Sequence, residues 1–291
     1  MRTFQQIAEL RAHLRAARDD GQTIGFVPTM GALHEGHLSL IRRSCNDCDR
    51  TVVSIFVNPT QFGPNEDLDR YPRDLARDSR LCQEEGVDAL FVPTVADMYP
   101  ADADTWVEVP ELSKPYEGAH RPGHFRGVAT VCAKLFQIVQ PHRAYFGQKD
   151  YQQLLVIQRM VADLCMPITI VACPTVREPD GLAMSSRNAY LDREEREAAA
   201  VLSRALFEAQ RLFEAGERSA DELRSAMVRV IESEPRARLD YVAIAHPQTL
   251  AALETVHDGC VALGAIRIGG TRLIDNVLLG VTLNHQARRP A

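Results

Sequence analysis

The 291-residue chain contains no apolar run long enough to span a bilayer, and Met1–Asp20 has no signal-peptide pattern. It also lacks an excess of positive charge. Thirty-three Lys and Arg against 39 Asp and Glu give a formal charge of −6, which argues against a nucleic-acid or membrane-surface partner. The seven cysteines are odd in number and scattered, so no disulfide framework is visible. Cys45 and Cys48 form a single C-x-x-C, with no second pair to complete a zinc site. A redox pair needs a helix N-terminus to lower its thiol pKa, whereas these two fall near the C-terminal end of an expected helix. Their expected role is packing. No internal repeat and no low-complexity tract is present. The expectation is a cytoplasmic globular chain of one large or two modest domains.

The chain is organised around Thr23–Cys48, TIGFVPTMGALHEGHLSLIRRSCNDC. TIGFVP is a short apolar run bounded by Gly21 and Pro28, as in a buried parallel strand. From His37, Leu38, Ile41 and Cys45 recur at helical spacing. His34 and His37 flank Gly36 where that helix begins. A helix N-terminus presents free N–H groups and the positive end of its dipole, and so can hold phosphate. Imidazole N–H groups there can donate to phosphate oxygens, and a glycine lets a ligand approach the backbone. The alternative is that the two histidines only cap the helix.

Further apolar runs at Thr51–Val57, Ala89–Pro93, Arg143–Gly147 and Ile168–Cys173 alternate with helical patterns near Asp74–Glu85, Val128–Val139 and after Asp150. This alternation predicts a Rossmann-like, doubly wound parallel sheet over residues 1–174. A first helix is expected from a Thr3/Gln6 capping box, with Phe4, Ile7, Leu10 and Leu14 as its apolar stripe, and a strand is expected at Thr105–Val109. Residues 175–291 change texture. A long helix runs from Asp192 to about Ala215, and a second is capped by Ser219 and Glu222. Strands follow at Leu239–Ala245, Cys260–Ile268 and Thr271–Leu279, the last two joined by Gly269-Gly270, a hairpin signal. A smaller α+β lid domain is expected there, with a frayed end after Val281.

Candidate site residues gather at the turns. Asn58 and Gln61 follow a strand and can hydrogen-bond a small polar substrate, although Asn-Pro and Gly-Pro are turn formers in any case. Arg121–Gly127 is polar and glycine-rich, either a lid carrying cations or a solvated loop. Asp150 with Gln153 reads as a capping box, whereas Lys149 at a strand-to-helix turn suits a phosphate. Ser185, Ser186 and Arg187 place two hydroxyls beside a guanidinium, a grouping that can grip phosphate. No strong nucleophile-and-base pair is visible.

His34-Glu35-Gly36-His37 resembles the His-x-Gly-His signature of the nucleotidylyltransferase superfamily. The longer string Pro28–His37, with SIFVNPTQFGPNEDLDRYPR, RPGHFRGVATV, YFGQKDYQQL and PTVREPDGLAMSSRNAYL, resembles the pantothenate synthetase (pantoate–β-alanine ligase) family over nearly the whole chain. That resemblance implies ATP-dependent condensation of pantoate with β-alanine through a pantoyl adenylate, releasing pyrophosphate and AMP. It implies that His34 and His37 contact the ATP phosphates, with His37 the candidate proton donor, and that Lys149 bridges ATP phosphate and pantoate. Pro28, Met30, Gly147, Asp150 and Val176 line the adenosine side. Met184 is implied to contact ATP, and Ser185, Ser186 and Arg187 to bind the triphosphate, with Arg187 supplying the cation. Gln61 and Gln153 hold pantoate, with Asn58 and Tyr71 near it, and Arg121 helps with phosphate. Mg²⁺ rides on ATP, with Asp78 the protein candidate beside it, and the assembly implied is a homodimer. Gln148 stands where many relatives have Glu, and no catalytic charge is assigned to it. The rival readings are a ligase for another small acid and a nucleotide-binding regulator without turnover.

Overall fold

The structure is a computed structural model that describes residues 1–64 and 66–281. Its contacts divide it into two units, Met1–Arg177 with Met184–Ala189, and Glu178–Ala183 with the chain from Tyr190 onward. The expected division after Pro174 differs from these units at Thr175–Arg177 and at Met184–Ala189.

The first unit is built on six parallel strands, β1 (Arg2–Phe4), β2 (Ile24–Thr29), β3 (Arg50–Ile55), β4 (Ala89–Phe91), β5 (Arg143–Gly147) and β6 (Thr169–Cys173). Their order is β1-β4-β3-β2-β5-β6. The chain winds one way from β2 through β3 to β4 and the other way from β5 to β6, so the switch point lies between β2 and β5. Ligands of open α/β sheets bind there, beyond the carboxyl ends of the strands. Helix α2 (Glu35–Asp47) packs on β2, β3 and β5 and touches α3 (Leu75–Glu84), while α7 (His124–Val139) packs against both α1 (Ile7–Asp19) and α8 (Tyr151–Asp163). Four-residue helices α4 (Val95–Met98), α5 (Pro110–Ser113) and α6 (Glu117–His120) fill the connection before α7.

The central strand is buried on both faces because both are covered. Val27 packs with Leu33, Leu38, Ile41, Val53 and Leu90, whereas Phe26, Phe136 and Phe146 form an edge-to-face stack with centroids 6.4 and 6.3 Å apart. Helix α7 is buried over most of its surface, as its mainly apolar sequence requires, with Arg126 and Gln137 on the exposed side.

Three local expectations are corrected. Phe4 belongs to β1, paired with Phe91, so the Thr3/Gln6 box does not form and α1 starts at Ile7 without a side-chain cap. Pairing with β4 outweighs the local helix signal. Thr105–Val109 is not a strand; the Val107 N–H donates to Thr130 Oγ1 instead. Asp150 makes no side-chain cap, so the Asp150/Gln153 box is absent.

The second unit has helices α9 (Arg193–Ala199), α10 (Val201–Glu214) and α11 (Ala220–Glu232) and an antiparallel sheet of β7 (Ala237–Ala245), β8 (Val261–Ile268) and β9 (Thr271–Leu278). The expected long helix is broken at Ala200, and its Asp192/Glu195 capping box is present. Ile268 pairs with Thr271, so the hairpin turns on Gly269-Gly270, with Gly269 at φ +53°. Its core joins Leu202, Leu206 and Phe213 of α10 to Leu223, Met227 and Ile231 of α11 and Ile266 of β8. Residues 282–291, where fraying was expected, lie outside the described residues.

Candidate active site

The loop from β2 into α2 begins with two residues in left-handed conformation, Gly31 at φ +85° and Ala32 at φ +50°. A non-glycine residue in that region is strained by about 1 kcal/mol or more. Asp78 of α3 holds it there. Only 1% exposed, its carboxylate accepts the Ala32 N–H at 2.8 Å and the Leu33 N–H at 2.9 Å. The loop thus delivers His34 to the N-cap of α2.

The two histidines are fixed by the backbone. His34 Nδ1 accepts the Gly36 N–H at 3.1 Å, and His37 Nδ1 accepts the His34 N–H at 3.3 Å, a reciprocal capping box. A neutral ring accepting at Nδ1 carries its proton on Nε2. Burial, with Lys149 next, lowers the His34 pKa to about 4; burial, with His34 next, lowers that of His37 to about 3. Both rings are therefore neutral at pH 7 and present Nε2–H donors, with centroids 4.1 Å apart. Capping and ligand donation, two alternatives in the sequence, use opposite edges of the same rings. Gly36 itself lines the cavity of this unit, and it has a second reason to be glycine. A Cβ there would lie 2.8 Å from His34 Cε1 and 2.9 Å from Nδ1. Glycine makes room for the capping ring.

A single cavity of the first unit is lined by Pro28, Met30, His34, His37, Gln61, Tyr71, Arg121, Gly147, Lys149, Asp150, Gln153, Val176, Met184, Ser185, Ser186 and Arg187. These come from the carboxyl ends of β2 and β5, the segment after β6 and the loops between, brought together from widely separated parts of the sequence. Two expected site residues lie outside the lining. Asn58, 1% exposed, donates through Nδ2 to Gly127 O at 3.1 Å and accepts from Thr60, so it fixes the turn carrying Gln61. Asp78 has both oxygens on the Ala32 and Leu33 amides, which leaves it a poor fit to a magnesium ligand.

The cations are paired with carboxylates. Lys149 Nζ lies 3.6 Å from Asp150 Oδ1. Burial would raise the Asp150 carboxyl, but Lys149 and Arg187 hold it below its ordinary value. Arg187 meets Asp67 at 3.0 and 2.9 Å, and Arg121 meets Glu66 at 2.9 and 2.6 Å. Ser186 Oγ donates to Ala32 O at 3.1 Å, tying the hydroxyl pair to the His34 loop.

Sequence reasoning passed over four residues here. His124 lines the cavity; its Nε2 accepts from Arg121 at 3.1 Å, so its Nδ1–H donates to Gln61 O at 2.9 Å. Burial, then Arg121, lowers its pKa to about 4. The segment Arg121–Arg126, expected as a lid or a solvated loop, is a turn that leads into the first residues of α7, with Phe125 3% exposed and Pro122, Gly123 and Arg126 exposed. Thr175 also lines the cavity, 7% exposed, and its hydroxyl has no hydrogen-bond partner among the described residues. Glu66 and Asp67 escaped notice because an acidic loop gives no sign of its distant partners. For His124, its spacing of three from Arg121 was the available signal.

A parallel α/β sheet with paired imidazole donors at a helix N-terminus, at its switch point and facing lysine and arginine, defines an enzyme that works on the phosphates of a nucleotide. The model of the family described as Pantoate-beta-alanine ligase matches residues 2–278. Pantothenate synthetase of Roseiflexus sp. (strain RS-1) is 60% identical over 279 residues, 96% of this chain and 99% of the relative. That of Pelotomaculum thermopropionicum is 58% identical over 274 residues, 94% and 97% of the two chains. The crystal structure of pantothenate synthetase from Thermus thermophilus superposes with a TM-score of 0.92 at 52% identity, covering 96% of this chain and 99% of that one. Pantoate-beta-alanine ligase from Francisella tularensis, complexed with beta-gamma ATP and beta-alanine, gives a TM-score of 0.79 at 36% identity, covering 96% and 97%. The chain belongs to the pantoate–β-alanine ligase family. Its reaction class is acid–amino-acid ligation with formation of a C–N bond.

Proposed function

We propose that the reaction runs through a pantoyl adenylate formed in the cavity of the first unit. A carboxylate oxygen of (R)-pantoate attacks the ATP α-phosphorus and pyrophosphate leaves. The β-alanine amine then attacks the acyl carbon of the mixed anhydride, giving pantothenate and AMP. The observation that carries this reading is the pair of backbone-fixed Nε2–H donors on His34 and His37, at a helix N-terminus and in one cavity with Lys149 and Arg187. Phosphoryl-type transfer needs in-line positioning and positive charge at the leaving group more than a protein nucleophile. His34, His37, Ser185, Ser186 and Arg187 hold the triphosphate. His37, neutral before ATP arrives, gains proton affinity beside phosphate and serves as donor to the departing pyrophosphate. Lys149 spans phosphate and pantoate. Gln61, Gln153 and Tyr71 hold pantoate, with Asn58 and Arg121 acting behind Gln61. Pro28, Met30, Gly147, Asp150, Val176 and Met184 receive the adenosine.

In this reading Mg²⁺ arrives on the ATP phosphates; among the described residues, no group of three or more His, Cys, Asp or Glu could hold an ion. Assembly as a homodimer belongs to the same proposal and rests on family membership; light scattering checks it. A cytoplasmic setting is supported by seven unpaired cysteines, which suit a reducing compartment. Among the described residues no helix is long and apolar enough to cross a membrane.

The test is pyrophosphate release from ATP and D-pantoate, with and without β-alanine. A single-turnover burst without the amine and sustained release with it are expected. His37→Ala or Lys149→Ala is expected to slow the burst about 10²-fold or more. Near-normal bursts in both variants would remove the assigned roles.

A further inference from the structure

Two adjacent carboxylates reach the two arginines of the cavity. Glu66 takes Arg121 through Nε at 2.9 Å and Nη2 at 2.6 Å; Asp67 takes Arg187 through Nε at 3.0 Å and Nη2 at 2.9 Å. Both are two-point, side-on pairs, the arrangement that fixes a guanidinium plane as well as its position. The four side chains are mostly covered, at 14% and 24% exposed for the first pair and 26% and 14% for the second. They lie 55 and 120 residues apart in sequence, so neither pair follows from local geometry.

The remaining edges of the two guanidiniums differ. Arg121 Nη1 faces His124 Nε2 at 3.1 Å, and its Nη2 also donates to Gln61 O at 3.1 Å, so its donors are turned onto protein. Arg187 gives its Nε and Nη2 edge to Asp67 and lies 5.9 Å over the Tyr71 ring, so among the described residues its Nη1 edge is left for a ligand in the cavity it lines. Burial would raise the Glu66 carboxyl, but Arg121 holds it below its ordinary value; burial would lower Arg187, but Asp67 raises it. Each arginine–carboxylate pair thus favours the charged form of the partner it shifts, Glu66 in the first and Arg187 in the second.

We infer that the Glu66–Asp67 dipeptide is a positioning element for the ligation: Asp67 aims the Nη1 edge of Arg187 at the phosphates of ATP, and Glu66 locks Arg121 against the Gln61 backbone. The inference rests on the adenylate reading and names two residues that act through others. It gives the two arginines different work. Arg187 touches substrate, whereas Arg121 acts through Gln61 on the pantoate side.

The test is a pair of double-mutant cycles, Asp67→Asn with Arg187→Gln and Glu66→Gln with Arg121→Gln, read by the pyrophosphate burst and by calorimetric ATP affinity. Asp67→Asn is expected to slow the burst about 10-fold or more, because a guanidinium misplaced by about 1 Å loses its in-line contact. ATP affinity should hold within about three-fold or tighten, since Arg187 is then less neutralised. In the Arg187→Gln background the same change should cost under about two-fold. Glu66→Gln should instead raise KM for pantoate, and do so only while Arg121 is present. Arg187→Lys keeps the charge but cannot be held at two points, and should reproduce the Asp67→Asn loss even if that variant folds poorly. Additive losses in either cycle, or wild-type kinetics in Asp67→Asn or Arg187→Lys, would overturn the inference. If wild-type protein released no pyrophosphate with pantoate, the adenylate reading itself would fall, whereas a wild-type burst with additive losses in the variants would overturn the clamp alone.

Discussion

Asp78→Asn separates a brace from a metal ligand. In the folded chain the carboxylate is 1% exposed and accepts two backbone amides at 2.8 and 2.9 Å, with Arg77 Nη1 3.6 Å away. Each bond to a charged acceptor is worth roughly 1.5–3 kcal/mol net. Asparagine keeps one neutral acceptor and turns an NH₂ donor toward the other amide, which is then buried without a partner. Part of the loss is recovered because a buried charge is removed. The expected net cost is about 2–4 kcal/mol. For a unit of this size that lowers the melting temperature by roughly 4–16 °C. The strained Ala32, at φ +50°, loses its restraint at the same time, so the His34 loop shifts and turnover falls. The assay is thermal and urea unfolding without nucleotide, followed by titration of Mg²⁺ in the pyrophosphate assay. A brace predicts lost stability in metal-free buffer and an unchanged Mg²⁺ optimum. Wild-type stability together with a raised Mg²⁺ requirement would refute the brace and return Asp78 to the metal.

Three other perturbations test the geometry. Gly36→Ala would push the His34 ring off its cap; the lost cap, about 1 kcal/mol, and the gained helix propensity, also about 1, nearly cancel, so the melting temperature should barely move while the burst falls about 10²-fold. Gly127→Ala places a Cβ 2.3 Å from Thr60 O and 2.7 Å from its carbon, both backbone; overpacking of roughly 1–3 kcal/mol and a KM for pantoate raised about 10-fold are expected from unfolding and steady-state assays. For pH, His34, His37 and His124 bind a proton near 6.5 when unfolded but only near 4, 3 and 4 when folded. Between those values the unfolded chain holds more protons, so stability should fall as pH drops from about 6.5 toward 4 and be insensitive to these groups above 7. Unfolding midpoints against pH check this, and His37→Asn should flatten the slope.

Much of the site was legible because its signals are local. A strand, a helix start and two histidines three residues apart lie within one short stretch of chain. The strand alternation around them, from TIGFVP to ITIVAC, required a parallel sheet with a switch point. The capping boxes at His34 and Asp192 and the Gly269-Gly270 hairpin follow from neighbours within four residues. Tertiary structure decided the rest, wherever a partner lay far along the chain. Phe4 left its helix for a strand because β4, distant in sequence, offered it hydrogen bonds. Asp150, a good cap by sequence, turned to Lys149 instead. The protonated edge of each active-site imidazole, the brace on Ala32 and the carboxylate behind each arginine are likewise set by three-dimensional contacts. The amino-acid sequence alone thus determined which residue types able to bind phosphate stand at the turns, and local capping set the two histidines at the start of α2. Only the packed fold determined which way those groups point, because orientation depends on buried hydrogen bonds that form after distant segments meet.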